Sequence, residues 1–440
     1  MPPVPECCLL SVRPKLLILP SWYISPDDRI NGSFFQAQGA LLSDDFESRV
    51  LHIKTQHRPS LRMIWQDPLA LIHWWFEYLR SPRREIRLTD EEVFRTPKLY
   101  LYEQKVAWLR LRSRHLQTIE AYLAEVENFI SNGWKPDLIR AHTVYPAGAV
   151  AREIKRKHGV PYLLSEHAPF SVEKFPVELR AQIRAAFREA DRVLSLSYDK
   201  VRQVCMSGID IEPHIIFNYV DENLFRGLAP PYTPQSSLKL ASIGAASHYK
   251  DHATLLRSLV LLKKKKIPFK LSLVGLGAWG SRREETIRLI NGLGLENDVE
   301  LIDSMTRVEV AQFLPRNHVF LLTSIQEGFP NAVLEALASG LFVIATRHGG
   351  TEDLLTDDVG RIVPIKAAES VATLLARIYH GEILINPDEI RHFVIRRCGR
   401  EAFRKRMLEH CFAAMRGKPD AVSLDNSKHL IRRINEEPLQ

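Results

Sequence analysis

Short β-rich runs recur along the chain with enough residues between them for a helix, and this alternation constrains the fold more than any other feature. Runs at 16–19, 50–53, 138–142, 162–165, 193–196 and 215–217 form a first set, and runs at 239–243, 270–274, 299–302, 319–322 and 342–345 form a second. Strands separated by helices predict parallel sheets built from right-handed crossovers and covered on both faces. At 440 residues the chain exceeds what one core serves, so two doubly wound, Rossmann-like α/β domains are expected. The boundary falls at 221–237, DENLFRGLAPPYTPQSS, where Pro230, Pro231 and Pro234 interrupt any regular element. This gives a first domain over 1–225, a second over 237–416 and a polar tail over 417–440 with a short basic segment at 429–435. Residues 57–115 are too long for a simple connection and read as a helical insertion in the first domain. Two such sheets facing each other put the carboxyl ends of their strands around one shared cleft, where open α/β folds bind ligands.

Composition narrows the partners. With 45% hydrophobic and 25% charged residues the chain is neither collagenous, disordered nor a disulfide scaffold. Lys and Arg number 60 against 52 Asp and Glu, a net +8 that favours anions. The basic residues are spread widely and no nucleic-acid motif accompanies them, so nucleic acid is not an expected partner. The cysteines, Cys7, Cys8, Cys205, Cys398 and Cys411, lack the spacing of a zinc or redox motif and suit a reducing compartment. The first residues, with prolines and Glu6, do not read as a secretory signal, and no apolar run reaches the roughly 18–20 residues that span a bilayer.

From residue 317 the chain reads NHVFLLTSIQEGFPNAVLEALASGLFVIATRHGG. Residues 319–322 are a buried strand, Gly328 and Pro330 make a tight turn, and 332–339 has helical spacing until Gly340 ends it. A strand, a glycine turn and a helix start leave backbone N–H groups and the positive helix end facing the cleft, which suits a pyrophosphate. Glu327 on the turn and Glu335 about two helical turns on can both face that cleft, and carboxylates accept paired hydroxyls such as those of ribose or a pyranose. An isolated pair of glutamates reads as a loop residue and a surface charge; the glycine, proline and asparagine between these two favour a site.

The EGFPNAVLEA stretch resembles the glutamate-seven-residues-glutamate motif of family 4 glycosyltransferases, retaining enzymes of the GT-B fold, and the likeness includes Gly328, Pro330, Asn331, Ala336, Ala338, Gly340, Gly349 and Gly350. The resemblance implies that Glu335 binds the ribose of a sugar nucleotide, that Glu327 binds donor-sugar hydroxyls near the reacting centre, and that backbone N–H groups of Asn331, Ala332 and Val333 hold the diphosphate. Leu19-Pro20-Ser21-Trp22-Tyr23 followed by Gly32, Phe34, Phe35 and Gln38 is similar to the opening of polysaccharide-type members, where the Gly32 loop would enter beneath the donor phosphates. Pro136–His142 resembles the family strand whose terminal histidine, here His142, touches the donor sugar and the transferred group; a histidine at a strand end is otherwise structural. Glu166 and His167 match a glutamate–histidine pair on the acceptor side, with a capping role for Glu166 as the competing reading. LASIGAASHYK over 240–250 is similar to the strand, glycine and basic loop that place Gly244 and Lys250 at the diphosphate, although Ala245 stands where the family often has arginine. His248 or Arg347 could replace that cation. Gly275 and Gly277 would receive the nucleotide base, and Asn218 to Asp221 with Phe225 resemble the hinge at the domain crossing.

The implied reaction moves a sugar from a nucleotide-diphosphate sugar to a glycan or lipid-linked acceptor hydroxyl in cell-surface polysaccharide biosynthesis. It implies no bound metal or permanent cofactor, and a cytoplasmic enzyme, peripheral on the inner face of a membrane. Competing readings are a phosphorylase or sugar-nucleotide epimerase of the same fold and, motivated by Ala245, a catalytically silent GT-B-like subunit that binds nucleotide sugar and regulates a partner. Trp74, Trp75 and Phe76 beside Arg80, Arg83 and Arg84 have two readings: an aromatic face in anionic headgroups, or a buried helix with a solvated basic end.

Overall fold

A computed structural model describes residues 13–26, 32–57, 61–81, 83–87, 97–106, 114–277 and 282–417. Cys7, Cys8 and the basic segment at 429–435 lie outside the described residues.

The first sheet contains β1 (Lys15–Pro20), β2 (Glu47–His57), β3 (Arg83–Glu85), β4 (Lys98–Val106), β5 (Leu138–His142), β6 (Tyr162–Glu166), β7 (Arg192–Ser195) and β8 (Pro213–Ile215), in the order β3-β4-β2-β1-β5-β6-β7-β8. Its pairings are parallel except β3 against β4. The second sheet contains β9 (Leu238–Ile243), β10 (Phe269–Val274), β11 (Val299–Ile302), β12 (Val319–Leu322), β13 (Phe342–Thr346) and β14 (Gly360–Val363), all parallel, in the order β11-β10-β9-β12-β13-β14. Helices cover both faces, so β5, β6, β12 and β13 are buried at every residue and can be continuously apolar without alternation. In each sheet the strand order reverses beside the first strand, between β1 and β5 and between β9 and β12, which fixes two crevices at the carboxyl ends of those strands.

Three sequence expectations change. The stretch 57–115 is not simply helical: after the helices Leu61–Gln66 and Leu69–Arg80 the chain returns as β3 and β4, and β4 pairs with β2 over nine residues, from Arg49 opposite Lys98 to His57 opposite Val106. Its tyrosines and long polar side chains hide the apolar signal, although Leu101 is buried. The second domain does not extend to 416. Gly399, in extended backbone, separates the helix Pro387–Cys398 from Arg400–Met415, and Phe403, Met407, Cys411 and Ala414 of that last helix pack with Leu16, Ile18, Leu138 and Leu163 of the first sheet. Arg404 adds a two-pronged contact to Asp45 at 2.7 and 3.1 Å. The first domain does not reach 225, since Phe225 is fully buried in the second core and its carbonyl accepts from Arg391 Nη1.

Candidate active site

The first-sheet wall of the cleft is built on β1 and β5. Pro20 lies opposite His142, and Ser21 just beyond donates through its backbone N–H (3.2 Å) and hydroxyl (2.8 Å) to the His142 carbonyl, so the His142 ring is fixed at the strand end. His142 Nδ1 meets His167 Nε2 at 3.0 Å, and Phe35 covers both rings, with centroids at 4.2 and 4.9 Å. Both imidazoles are buried. Burial, followed by Arg140, pushes His142 well below the ordinary histidine range, with His167 adding a smaller push; burial and then Arg140 bring His167 down to about 3. Both are therefore neutral near pH 7, and His142 Nε2 and His167 Nδ1 are buried with no hydrogen-bond partner. A neutral imidazole nitrogen of that kind suits a hydroxyl, not a phosphate charge.

Glu166 is spent on the fold. One carboxylate oxygen accepts from Val144 N at 3.0 Å, the other from His167 N at 3.0 Å and Ala168 N at 3.1 Å, so it braces the loops after β5 and β6. Burial raises its pKa against the pull of those three N–H groups. Gly32 likewise has a local reason. It is left-handed, with φ 83°, and a Cβ there would stand 2.6 Å from the Tyr23 Cα. The close approach that demands glycine is to the Trp22–Tyr23 backbone.

The second-sheet wall is built on β9 and β12. Gly244 follows β9, and the Lys250 side chain lies directly across it: a Cβ on Gly244 would sit 2.7 Å from Lys250 Cε. Lys250 Nζ donates to Glu327 Oε1 at 2.6 Å, and Ser324, just past β12, donates its hydroxyl to the same oxygen at 2.6 Å. The helix Asn331–Ala338 begins after Pro330 with no side-chain cap on its N–H groups, though Val333 N is taken by the Pro330 carbonyl at 3.0 Å. Asn331 and Ala332 therefore present the unclaimed amides of that turn. Glu335, on the second turn, is mostly buried and faces Arg307 at 3.5 Å; burial raises its pKa and Arg307 opposes. Gly275, φ 105°, packs against the Gly244 carbonyl, and Gly277 packs against Asp303; the rest of that loop, 278–281, lies outside the described residues.

The two walls touch. Gly328 approaches the His167 carbonyl so closely that a Cβ would lie 2.3 Å from the oxygen. Asn218 Nδ2 donates to Asn331 Oδ1 at 2.8 Å, and the Ser197 hydroxyl donates to the Gly349 carbonyl at 2.8 Å. Gly328→Val must therefore push one wall away from the other. An about hundredfold fall in kcat at unchanged secondary structure is expected, because ångström-scale misplacement costs about that much; a variant with wild-type turnover would show that the juncture yields freely.

Sequence reasoning placed His142, Lys250, Glu327 and Glu335 and missed Lys200. Lys200 is fully buried on the helix Tyr198–Met206; among the described residues its Nζ makes no hydrogen bond and its one carboxylate within 4.0 Å is Asp199, at that distance. Burial pulls its pKa down, while Asp199, Glu166 and Glu327 pull it up. A signal was available: Lys200 occupies the third helical position after the cap Ser197, where a cation opposes the helix dipole. Neither proposed substitute for an arginine at 245 shares that setting, since Arg347 is exposed and His248 lies edge-on to Tyr249.

Two doubly wound parallel sheets meeting at their switch points, with a lysine, a paired carboxylate and an uncapped helix start on one wall and a histidine pair on the other, define an α/β group-transfer enzyme with a cleft suited to a diphosphate and a polyol. The family profile described as "Glycosyl transferases group 1" matches residues 231–393, and that of "Glycosyl transferase 4-like domain" matches 80–218. The colanic acid biosynthesis glycosyltransferase WcaL of Escherichia coli is 32% identical over 286 residues, covering 62% of this chain and 69% of WcaL. The amylovoran biosynthesis glycosyltransferase AmsK of Erwinia amylovora is 27% identical over 157 residues, covering 34% of this chain and 38% of AmsK, so the match spans well under half of that relative. The solved lipopolysaccharide outer core galactosyltransferase WaaB aligns with a TM-score of 0.65 at 16% identity, over 91% of this chain and 99% of WaaB. Anabaena HepE in complex with UDP-glucose aligns with a TM-score of 0.60 at 18% identity, over 90% of this chain and 98% of HepE. The fold is GT-B, and the chain belongs to the group 1 glycosyltransferases of family 4 type.

Proposed function

We propose that this glycosyltransferase moves a sugar, with retention at the anomeric carbon, from a nucleoside-diphosphate sugar to a hydroxyl of a glycan or lipid-linked acceptor in surface polysaccharide assembly. The bond from the anomeric carbon to the diphosphate oxygen breaks, the acceptor oxygen takes its place, and the acceptor proton leaves with the diphosphate. Charge develops on the sugar and on the leaving group, so positioning and anion stabilisation supply the rate. The observation that supports this most is Lys250 held over Gly244 and against Glu327 at the β9/β12 crevice, facing the His142–His167 pair across the Gly328 juncture.

In this reading Lys250 and the amides of Asn331 and Ala332 receive the diphosphate, Glu335 the ribose, and Glu327 the sugar hydroxyls through the oxygen not shared by Lys250 and Ser324. The neutral His142 offers Nε2 to a further hydroxyl, and the acceptor enters beside His167. Lys200 supplies from the first domain the cation that Ala245 does not supply from the second. Relatives named for colanic acid and amylovoran synthesis support a polysaccharide product, and HepE solved with UDP-glucose supports a nucleotide-sugar donor. The free cysteines Cys205, Cys398 and Cys411 and a lipid-linked acceptor support a position on the cytoplasmic side, against a membrane.

The test is release of nucleoside diphosphate from a panel of sugar nucleotides, with and without lipid-linked and oligosaccharide acceptors. Release that depends on acceptor and falls about a hundredfold or more in Glu335→Ala is expected. Donor binding without turnover under every acceptor would support the silent regulatory subunit instead.

A further inference from the structure

The helix Leu69–Arg80 is apolar on two sides, and only one of them is used. Trp74 is buried, with Tyr78 stacked on it at 5.4 Å and Trp75 edge-on at 5.5 Å, and Glu77 is tied to Lys105 of β4 at 2.8 Å, so this side docks the helix beside the outer edge of the first sheet. On the other side Leu69 (68% exposed), Ile72 (65%), Phe76 (57%) and Leu79 (74%) follow at helical spacing, preceded by Trp65 at 88%. A contiguous aromatic and aliphatic face of this kind is rare on a protein that meets only water. Of the aromatic residues singled out by sequence, Trp74 and Trp75 belong to the inner side and Phe76 to the outward face, with Trp65, Leu69, Ile72 and Leu79.

We infer that this face, Trp65 with Leu69, Ile72, Phe76 and Leu79, seats the enzyme on an anionic lipid bilayer. Its charges select that occupant. At 3.6 residues per turn, Arg80 borders the exposed apolar sector and lies over Phe76 at 5.0 Å, with Glu77 one turn back the carboxylate it acts on. The one carboxylate on the helix, Glu77, points to the flank and is held by Lys105. Beyond the helix end, Arg84 and Arg87 turn outward; Glu103, which pairs with Arg84, lies buried beneath, while Glu85, paired with Arg87 at 3.7 Å, and Asp67 before the helix stay exposed, so that Arg80, Arg84 and Arg87 outnumber the acids on this face. An apolar stripe with cations at its border is the pattern of a helix lying in a membrane interface. A second copy of the chain would bring the same Arg80 against its equivalent.

The inference concerns a surface outside the cleft and is tested apart from sugar transfer. The full chain is sedimented with vesicles of phosphatidylcholine and phosphatidylglycerol at about 7:3 and with phosphatidylcholine alone, at low and high salt. Binding to the mixed vesicles is expected, weaker on the neutral ones and at high salt, and about a hundredfold weaker in Ile72→Ser/Phe76→Ser. Acyl-chain-brominated phosphatidylcholine should quench a fluorescence component that is absent in Trp65→Phe. Both variants change exposed side chains, so their thermal midpoints and their donor hydrolysis without lipid should match wild type. Wild-type protein that stays in the supernatant with the mixed vesicles, a double variant that binds as well as wild type, or a dimer broken by the double variant without vesicle binding would each overturn the inference.

Discussion

Lys200→Met is expected to raise the unfolding free energy by about 1–2 kcal/mol while lowering kcat by about two orders of magnitude. The two effects have one cause. A buried ammonium without a hydrogen bond carries a desolvation cost that the fold does not repay, since Asp199 is 4.0 Å away, Glu166 is engaged by three backbone N–H groups and Glu327 by Lys250 and Ser324. Methionine keeps the unbranched shape and removes the charge. If Lys200 neutralises the developing diphosphate, the loss appears in kcat more than in KM for the donor, and Lys200→Arg restores part of it. Urea midpoints and steady-state kinetics on the same three proteins decide the matter. A lysine that only props the helix would lose stability and activity together, and that joint loss would sink the assignment.

The opposite behaviour of Lys200 and Lys250 shows what the sequence could and could not disclose. Lys250 was legible because a strand, Gly244 and a short loop bring it over the glycine locally, whereas its pair with Glu327 spans 77 residues and could not be read. Glu327 and Glu335 were legible for the same reason, sitting on one turn and the helix that follows it. Lys200, Arg140 and the Gly328 contact are long-range. Arg140 stands in the middle of the buried run Leu-Ile-Arg-Ala-His and links to Gln38, which links to Asn218 and on to Asn331, a chain that crosses from one wall to the other. A charge in the centre of a five-residue buried strand is anomalous in the sequence itself, but its partner is set by packing. The strands on β1, β5, β6, β9, β12 and β13 could be read from apolar runs because both faces are covered. The strand β4, second from the edge, could not, and the last helix could not be assigned to a domain, because its stripe of Phe403, Met407, Cys411 and Ala414 states that it packs and not upon what.

Acid should open this fold well before its carboxylates titrate. His52, His142, His167 and His252 are buried in the native state, and burial leads the causes that bring His52 and His252 to about 4, His167 to about 3 and His142 well below the ordinary range. Each titrates near 6.5 once unfolded. Between that value and the native one the unfolded chain holds more protons, so stability falls as pH falls, by about 1.4 kcal/mol per pH unit for each histidine. The contribution is complete above about pH 6.5 and is lost progressively down through the native values. Four such groups outweigh a net stability of about 5–15 kcal/mol within two or three units. Glu166 and Glu335, whose carboxyls burial pushes up, take on protons in the native state before they would unfolded and oppose part of the loss. The decline is steepest below about pH 6, once the histidines of the unfolded chain are charged. Urea midpoints measured at about pH 7.5, 6.5 and 5.5 should fall with a steepening slope, with little dependence on salt because burial rather than surface charge is the leading cause. His52→Gln, which removes one group away from the His142–His167 pair, should lessen the slope by about a quarter of the four-histidine share. Midpoints that stay level from pH 7.5 to 5.5 would mean that these rings take up protons in the folded protein as readily as in the unfolded one, and the neutral His142 on which the sugar contact rests would fall with them.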